Sequence, residues 1–286
     1  MGAPTLRGLA LCAGAGGLEL GVHIAEPSYR TVCYVERARS AIDVLVARMR
    51  DGCLAPAPVW TDLATFDARP WRGVDLVSAG YPCQPFSISG LQRGFDDPRN
   101  LWPHVARIIR EARPRRVFLE NVTAHLGIGF PVVAGDLSSM GFRFAAGVHT
   151  ALEVGGSHHR SRLFVLADAD GQRGTWPDRP VAPEAWPGRA RHRLGRQPVP
   201  SQGRGAALGD ALFPPGPDAW EAWAAIVRDA RASGDLARLP ALPRMDDELA
   251  GWVDRQRLAG NGVVSLAAAF AYRSLSARLA AGDHDG

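Results

Sequence analysis

Gly8-Leu9-Ala10-Leu11-Cys12-Ala13-Gly14-Ala15-Gly16-Gly17-Leu18 is the stretch that decides the fold. Its first half is a short apolar run that reads as a buried strand, and its second half is a glycine loop opening onto a helical pattern. Glycines placed after a strand let the backbone turn sharply and approach a ligand closely, with the amides of a helix N-terminus behind them. This is the layout of a nucleotide-like site. A dinucleotide fingerprint requires a third glycine at position 19, where this chain has Glu19, which argues against nicotinamide or flavin.

The same alternation continues outward from that stretch. Strand candidates are Gly8 to Cys12, Thr31 to Val35, Val74 to Ser78, Val117 to Leu119 and Leu163 to Ala167, with a further strand-like stretch ending at Val59-Trp60. Between them, Ala38, Ala41, Ile42, Leu45, Val46 and Met49 recur at helical spacing, with Gly52 placed to end the helix. Leu101, Val105, Ile108, Ile109 and Ala112 repeat the pattern. Strands alternating with amphipathic helices over the first 167 residues predict an α/β fold with a mostly parallel sheet.

After Ala167 the texture changes. Residues 168–217 are rich in Pro, Gly and Arg and show no periodicity, so they read either as a solvated insert or as an irregular basic surface that meets a polyanion. Asp218-Ala219-Trp220-Glu221 has the form of a capping box and predicts that helix returns there. Near the end, Gly260-Asn261-Gly262-Val263-Val264 leads into an Ala-rich apolar helix reaching about Leu279, which must be buried and is expected to dock back on the first sheet.

Composition bounds the function classes. The chain has 286 residues, 46% hydrophobic and 22% charged, which suits one or two soluble domains. No apolar run approaches the roughly 20 residues needed to span a bilayer. Met1 to Arg7 leads into a strand rather than a signal-peptide cleavage site, so a cytosolic protein is expected. A net charge of +4, carried by arginine, permits a nucleic-acid partner without demanding one. The four cysteines, Cys12, Cys33, Cys53 and Cys83, show no CxxC spacing, so neither a zinc site nor a disulfide framework is expected.

Several places bear on chemistry. Gly80-Tyr81-Pro82-Cys83-Gln84-Pro85-Phe86-Ser87 puts a thiol in a proline-bracketed loop directly after the Val74-Asp75-Leu76-Val77 run, where it is either a nucleophile or a small buried hydrophobe. Val117-Phe118-Leu119-Glu120-Asn121-Val122 ends a strand in a carboxylate. Apolar neighbours raise the pKa of such an acid, and it can then share a proton near neutrality. Glu36, at the end of the second strand, sits where a carboxylate accepts ribose hydroxyls, and Asp62 either accepts from an adenine amino group or caps a helix. The packed glycines and Glu36 suit S-adenosylmethionine. His158-His159-Arg160-Ser161-Arg162 is a poor metal site, because adjacent histidines point apart on an extended chain. A Cys-His hydrolase would leave the glycine loop and Glu36 unexplained.

Taken in order from Leu9 to Tyr272, these motifs resemble the DNA (cytosine-5)-methyltransferases of bacterial and phage type. The resemblance rests on Ala13-Gly14-Ala15-Gly16-Gly17, Pro82-Cys83-Gln84, Glu120-Asn121-Val122, Arg160-Ser161-Arg162 and Gly260-Asn261-Gly262-Val263. It implies a Rossmann-like S-adenosylmethionine-dependent methyltransferase sheet formed by residues 1–167 plus 255–286. It also implies a small, irregular target recognition domain in residues 168–254.

By the same resemblance the thiolate of Cys83 attacks C6 of a flipped cytosine, Glu120 holds the N3 and N4 edge, Arg162 contacts O2 with Arg160 in support, and Asn121 braces the loop. Cofactor contacts are expected from Cys12, Ala13, Gly14, Gly16, Gly17, Leu18, Glu36, Arg37, Asp62, Leu63, Gly80, Pro82, Asn261 and Val263, and DNA contacts from Gln84, Ser87, Arg99 and Arg244. The implied cofactor is S-adenosyl-L-methionine and the implied partner is double-stranded DNA, met by a cytoplasmic monomer without metal or membrane. A cognate restriction endonuclease is an allowed companion.

Cys12 and Leu18 stand where the family generally has phenylalanines, and His158 where it has glutamine; losing an aromatic contact weakens cofactor binding by about 1 kcal/mol. A tRNA methyltransferase on the same fold and a catalytically silent DNA-binding relative are the competing readings.

Overall fold

The computed structural model describes residues 5–82, 100–156, 159–169 and 262–282. Seven strands form one sheet in the order β3-β2-β1-β4-β5-β7-β6. They are β1 (Leu6–Leu11), β2 (Tyr29–Val35), β3 (Val59–Trp60), β4 (Leu76–Ala79), β5 (Arg116–Val122), β6 (Arg143–Thr150) and β7 (Ser161–Asp168). The helices are α1 (Gly17–Ala25), α2 (Arg39–Arg50), α3 (Trp102–Ala112), α4 (His125–Ile128), α5 (Phe130–Ser139) and α6 (Ser265–Ala280). β1 to β5 pair in parallel, and β7 runs antiparallel to both β5 and β6. The expected α/β sheet is thus present, with β6, α4 and α5 as additions to the elements read from sequence. Among the described residues no helix is long and apolar enough to cross a membrane.

Side chains alternate along the strands and so build a core on each face. Leu9, Leu11, Val77, Val117, Leu119, Leu163 and Val165 face α3 and α5, where Val105, Ile108, Ile109 and Leu137 meet them. Leu76, Phe118, Phe164 and Leu166 face the other way, toward Leu18 and Val22 of α1 and Leu275 of α6. Phe118 stacks on Phe164 at 5.8 Å between centroids and meets Tyr272 edge-on at 5.3 Å. A third group, Ala10, Tyr34, Leu45 and Leu54, lies under α2.

α6 docks back on the sheet, against α1, β6 and β7. Its alanines have a geometric reason, since a Cβ on Gly21 would lie 2.6 Å from the Ala268 Cβ and from the Ser265 carbonyl. Only small residues let the two helices come that close. Arg273 donates to the Ile24 carbonyl at 3.0 Å, and Arg278 to the Ala146 carbonyl at 2.8 Å, so the middle and the last turn of the packed helix are tied to neighbours.

Strand order reverses between β1 and β4, and the carboxyl ends of those two strands open the crevice where ligands bind in such sheets. Cys12, expected as the last residue of β1, lies beyond it in a left-handed conformation with φ 50. The chain turns there to start the glycine loop, with Ala13 N–H donating to the Val35 carbonyl at 3.2 Å and Gly16 N–H to the Ala13 carbonyl at 2.8 Å. Gly16 is itself left-handed, with φ 77, and a Cβ on it would strike Leu54 at 2.4 Å.

Because β7 is antiparallel, Asp168 pairs with Arg116 at the edge of the sheet opposite this crevice. There Asp168 accepts from Arg116 Nε at 2.7 Å. The chain returns at Gly262 on the crevice side, where Arg160 donates to the Gly262 carbonyl. The arginine-rich stretch and the Asp218 capping box lie outside the described residues.

Candidate active site

Strand register sets the site. Val35 pairs with Leu11, Leu11 with Ala79, and Ala79 with Leu119, so the next residues, Glu36, Cys12, Gly80 and Glu120, form one row across four neighbouring strand ends. Gly80 keeps the middle of that row clear. A Cβ there would sit 3.6 Å from Glu120 Oε2 and 3.8 Å from the Cys12 carbonyl.

Glu120 is 7% exposed and carries its ion pair within the site. Arg162, opposite Val122 on β7, places Nε 3.0 Å from Glu120 Oε1. Burial raises the carboxyl and the Arg162 and Arg160 guanidiniums lower it, leaving it at about 7. Desolvation wins, so a proton resides on or leaves Glu120 near neutrality, as the sequence led one to expect. Asn121 Nδ2 donates to the Tyr81 carbonyl at 3.0 Å, and its Oδ1 accepts from Val122 N–H at 2.8 Å. Tyr81 also shares a hydrogen bond of 3.0 Å between its hydroxyl and His125 Nε2.

On the other side of the row, Glu36 Oε2 accepts from Gly14 N–H at 2.8 Å and Oε1 from Ala38 N–H at 2.7 Å. The carboxylate is thereby fixed beside the glycine loop. Gly14 has nothing within 4 Å of the place where a Cβ would be, so its backbone faces open space. Gly17 differs, because a Cβ on it would lie 2.5 Å from the Val263 carbonyl. Asp62 is exposed and accepts from Ala64 N–H at 2.9 Å, capping the turn after β3. Arg37 and Pro82 are exposed near the crevice, whereas the side chains of Ala13, Leu18 and Leu63 turn inward to the core.

The thiols divide clearly. Burial, with Glu36 and Glu19 nearby, pushes Cys12 up to about 12, and burial pushes Cys33 up to about 11. Neither is a thiolate at neutral pH, so the cysteine inside the row is no nucleophile. Cys83, Gln84, Ser87, Arg99, His158, Arg244 and Asn261 lie outside the described residues. No group of three metal-ligating side chains occurs among the described residues.

Two buried features were not read as functional from the sequence. Glu19, where a third glycine would have stood, is buried and accepts from the Ser78 hydroxyl at 2.7 Å, tying α1 to β4. Its signal was a charge one helical turn from Val22, on the same face. The Tyr81 to His125 contact joins positions too distant in sequence to leave a local signal.

A profile of the C-5 cytosine-specific DNA methylase family matches residues 6–188. The chain is 32% identical over 163 residues to the type II methyltransferase M.NgoMIV of Neisseria gonorrhoeae, covering 56% of this chain and 50% of that protein. It is 40% identical over 97 residues to the type II methyltransferase M.HhaI of Haemophilus parahaemolyticus, covering 32% of this chain and 30% of that protein. The chain thus spans half or less of the length of these two relatives. In fold it is similar to the Entamoeba histolytica methyltransferase EhMeth, with a TM-score of 0.50 at 16% identity over 58% of this chain and 54% of that one. The span of the family profile, together with the strand-end row it covers, means that the chain belongs to the C-5 cytosine-specific DNA methylase family.

Proposed function

We propose that this chain transfers a methyl group from S-adenosyl-L-methionine to C5 of a cytosine flipped out of double-stranded DNA, through a covalent bond between Cys83 and C6. The observation that carries the reading is the Glu120 to Arg162 pair, a carboxyl poised at about 7 and held at 3.0 Å from a guanidinium in the strand-end crevice. Cys83 Sγ adds to C6 as a thiolate, and the electron pair of the C5–C6 bond becomes available at C5. Protonated Glu120 donates to N3 as this happens, so no full charge builds on the ring. Arg162 steers the carboxyl and offers its remaining N–H groups to the cytosine O2, with Arg160 behind it.

S-adenosyl-L-methionine, when bound, supplies the methyl group to C5 and leaves as S-adenosyl-L-homocysteine. Loss of the C5 proton to a solvent base then re-forms the C5–C6 double bond, expels Cys83 Sγ and returns the N3 proton to Glu120. The residues present fit that cofactor. Glu36 is fixed beside the glycine loop, as an acceptor for ribose hydroxyls requires, Gly14 leaves its backbone uncovered, and Gly80 puts no side chain beside Glu120. Asp62 and Leu63 follow β3 on the same side, and Val263 closes on Gly17.

Residues 168–254 are the target recognition region in this reading, where arginines neutralise phosphates and a few bidentate contacts to guanine choose the sequence. Incubating the protein with S-adenosyl-L-methionine labelled in its methyl group, and with either duplex DNA or tRNA, tests the proposal. Label is expected in duplex DNA as 5-methylcytosine. Label confined to tRNA, or none in either, overturns it.

A further inference from the structure

Tyr81 stands two residues before Cys83, beyond the end of β4 at Ala79, yet it is only 3% exposed. No sheet pairing calls for an aromatic residue there. Its ring lies 5.5 Å from that of Trp102 on α3 and meets His125 of α4 edge-on at 5.6 Å. Its hydroxyl shares a hydrogen bond of 3.0 Å with His125 Nε2, and its carbonyl accepts from Asn121 of β5 at 3.0 Å. Three different elements therefore grip one residue, by its ring, its hydroxyl and its backbone.

The grip is built in depth. Trp102 is held from behind by its Nε1, which donates to Asp136 Oδ2 at 2.6 Å. His125 fills a space that Gly129 leaves for it, since a Cβ on Gly129 would lie 2.2 Å from the ring. Burial pulls His125 down to about 4, so the ring is neutral and the contact with Tyr81 is unchanged across the pH range of an assay. Between Tyr81 and Cys83 stands Pro82, whose ring fixes φ and removes one of the few rotations by which the chain forgets the orientation of Tyr81.

We propose that Tyr81 and His125 are a positioning pair that fixes the backbone immediately ahead of Cys83, so that its thiol meets C6 of the cytosine at a defined distance and angle. The proposal rests on the reading of Cys83 as the nucleophile. Both side chains are buried, each 3% exposed, and are held by the protein's own groups. Their effect is on the approach of the thiol, where a misplacement of about 1 Å costs on the order of a hundredfold in rate.

The test uses the full chain with Tyr81→Phe, His125→Gln and the double variant. Each is mixed with S-adenosyl-L-methionine and a duplex carrying 5-fluorocytosine at every cytosine, and the rate of covalent adduct formation is followed. In parallel, the alkylation rate of Cys83 by iodoacetamide is read from its peptide by mass spectrometry, and cofactor affinity is measured by calorimetry. Adduct formation is expected to slow by about ten- to a hundredfold in either single variant, with little further loss in the double variant and cofactor affinity within about twofold of the parent. The alkylation rate is expected to change in the same variants.

Adduct formation and alkylation at the parental rate in Tyr81→Phe overturn the pair. An equal fall in adduct rate and cofactor affinity also overturns it, because it marks general loosening. Absence of adduct in the parent itself strikes the covalent mechanism instead, and the alkylation arm still decides whether Tyr81 and His125 act on the thiol.

Discussion

Replacing Arg162 by methionine keeps an unbranched stem against β7 and removes the charge 3.0 Å from Glu120 Oε1. Both partners are well shielded, at 21% and 9% side-chain exposure, so solvent screens the pair only partly. An opposite charge this close holds a carboxyl down by roughly one to three pH units, worth about 1.4 to 4 kcal/mol. Glu120 starts at about 7, the balance of burial against Arg162 and Arg160. Without Arg162 it titrates well above neutrality, and its ionised fraction at pH 7 falls from about half to about a tenth or less.

The assay is the single-turnover methylation rate from pH 6 to 9, accompanied by the carboxyl signal of Glu120 in carbon-13 NMR, assigned through Glu120→Gln. The proposed mechanism needs Glu120 protonated, so the parent's rate is expected to decline above pH 7. In Arg162→Met the plateau is expected to be lower, because the proposed contact with cytosine O2 is gone, and the decline is expected at least one pH unit higher. A basic limb that coincides with that of the parent, or a carboxyl signal that titrates unchanged, refutes the coupling.

Glu19→Gln tests the buried carboxyl on α1. Burial raises Glu19 to about 7. Its contribution to stability is therefore complete below its unfolded value near 4.5 and is lost as pH climbs to 7, a change of about 3 kcal/mol. Melting temperature is expected to fall between pH 5 and pH 8 by several degrees less in Glu19→Gln than in the parent; equal slopes would show that Glu19 does not titrate in this window. Gly17→Ala places a methyl 2.5 Å from the Val263 carbonyl, a backbone atom that must shift. We expect about 1 to 3 kcal/mol of destabilisation and at least tenfold weaker cofactor binding by calorimetry, and unaltered binding would mean that the segment around Val263 takes no part in the site.

How much of this was legible in the chain depends on whether the signal was local. β1, β2, β4, β5 and β7 announce themselves as apolar runs, and the residues that follow the paired positions of four of them, Cys12, Glu36, Gly80 and Glu120, are the ones the fold brings into a row. β6 stayed hidden because Ala145-Ala146-Gly147 lacks the branched and aromatic side chains that mark a strand, and its place is set by packing on α6. The left-handed turn at Cys12 leaves no mark in a composition of alanine, cysteine and glycine. Leu18, read as a cofactor contact, is a core residue in its side chain, since the helix that begins at Gly17 turns it onto Val22 and Phe118. Contacts such as Ser78 with Glu19 and Tyr81 with His125 belong to tertiary structure alone, and no spacing rule reaches them.

The antiparallel course of β7 has a consequence for engineering. Its eight residues lead from the crevice to the far edge of the sheet, roughly 25 Å away, while Gly262 rejoins the fold beside Arg160 at the crevice. The two ends that any replacement of the intervening residues must join are thus not adjacent. A graft has to start at Asp168, at one end of β7, and finish at the Gly262 to Arg160 clasp by the other. Swaps that preserve both anchor points are the ones that should yield folded chimaeras.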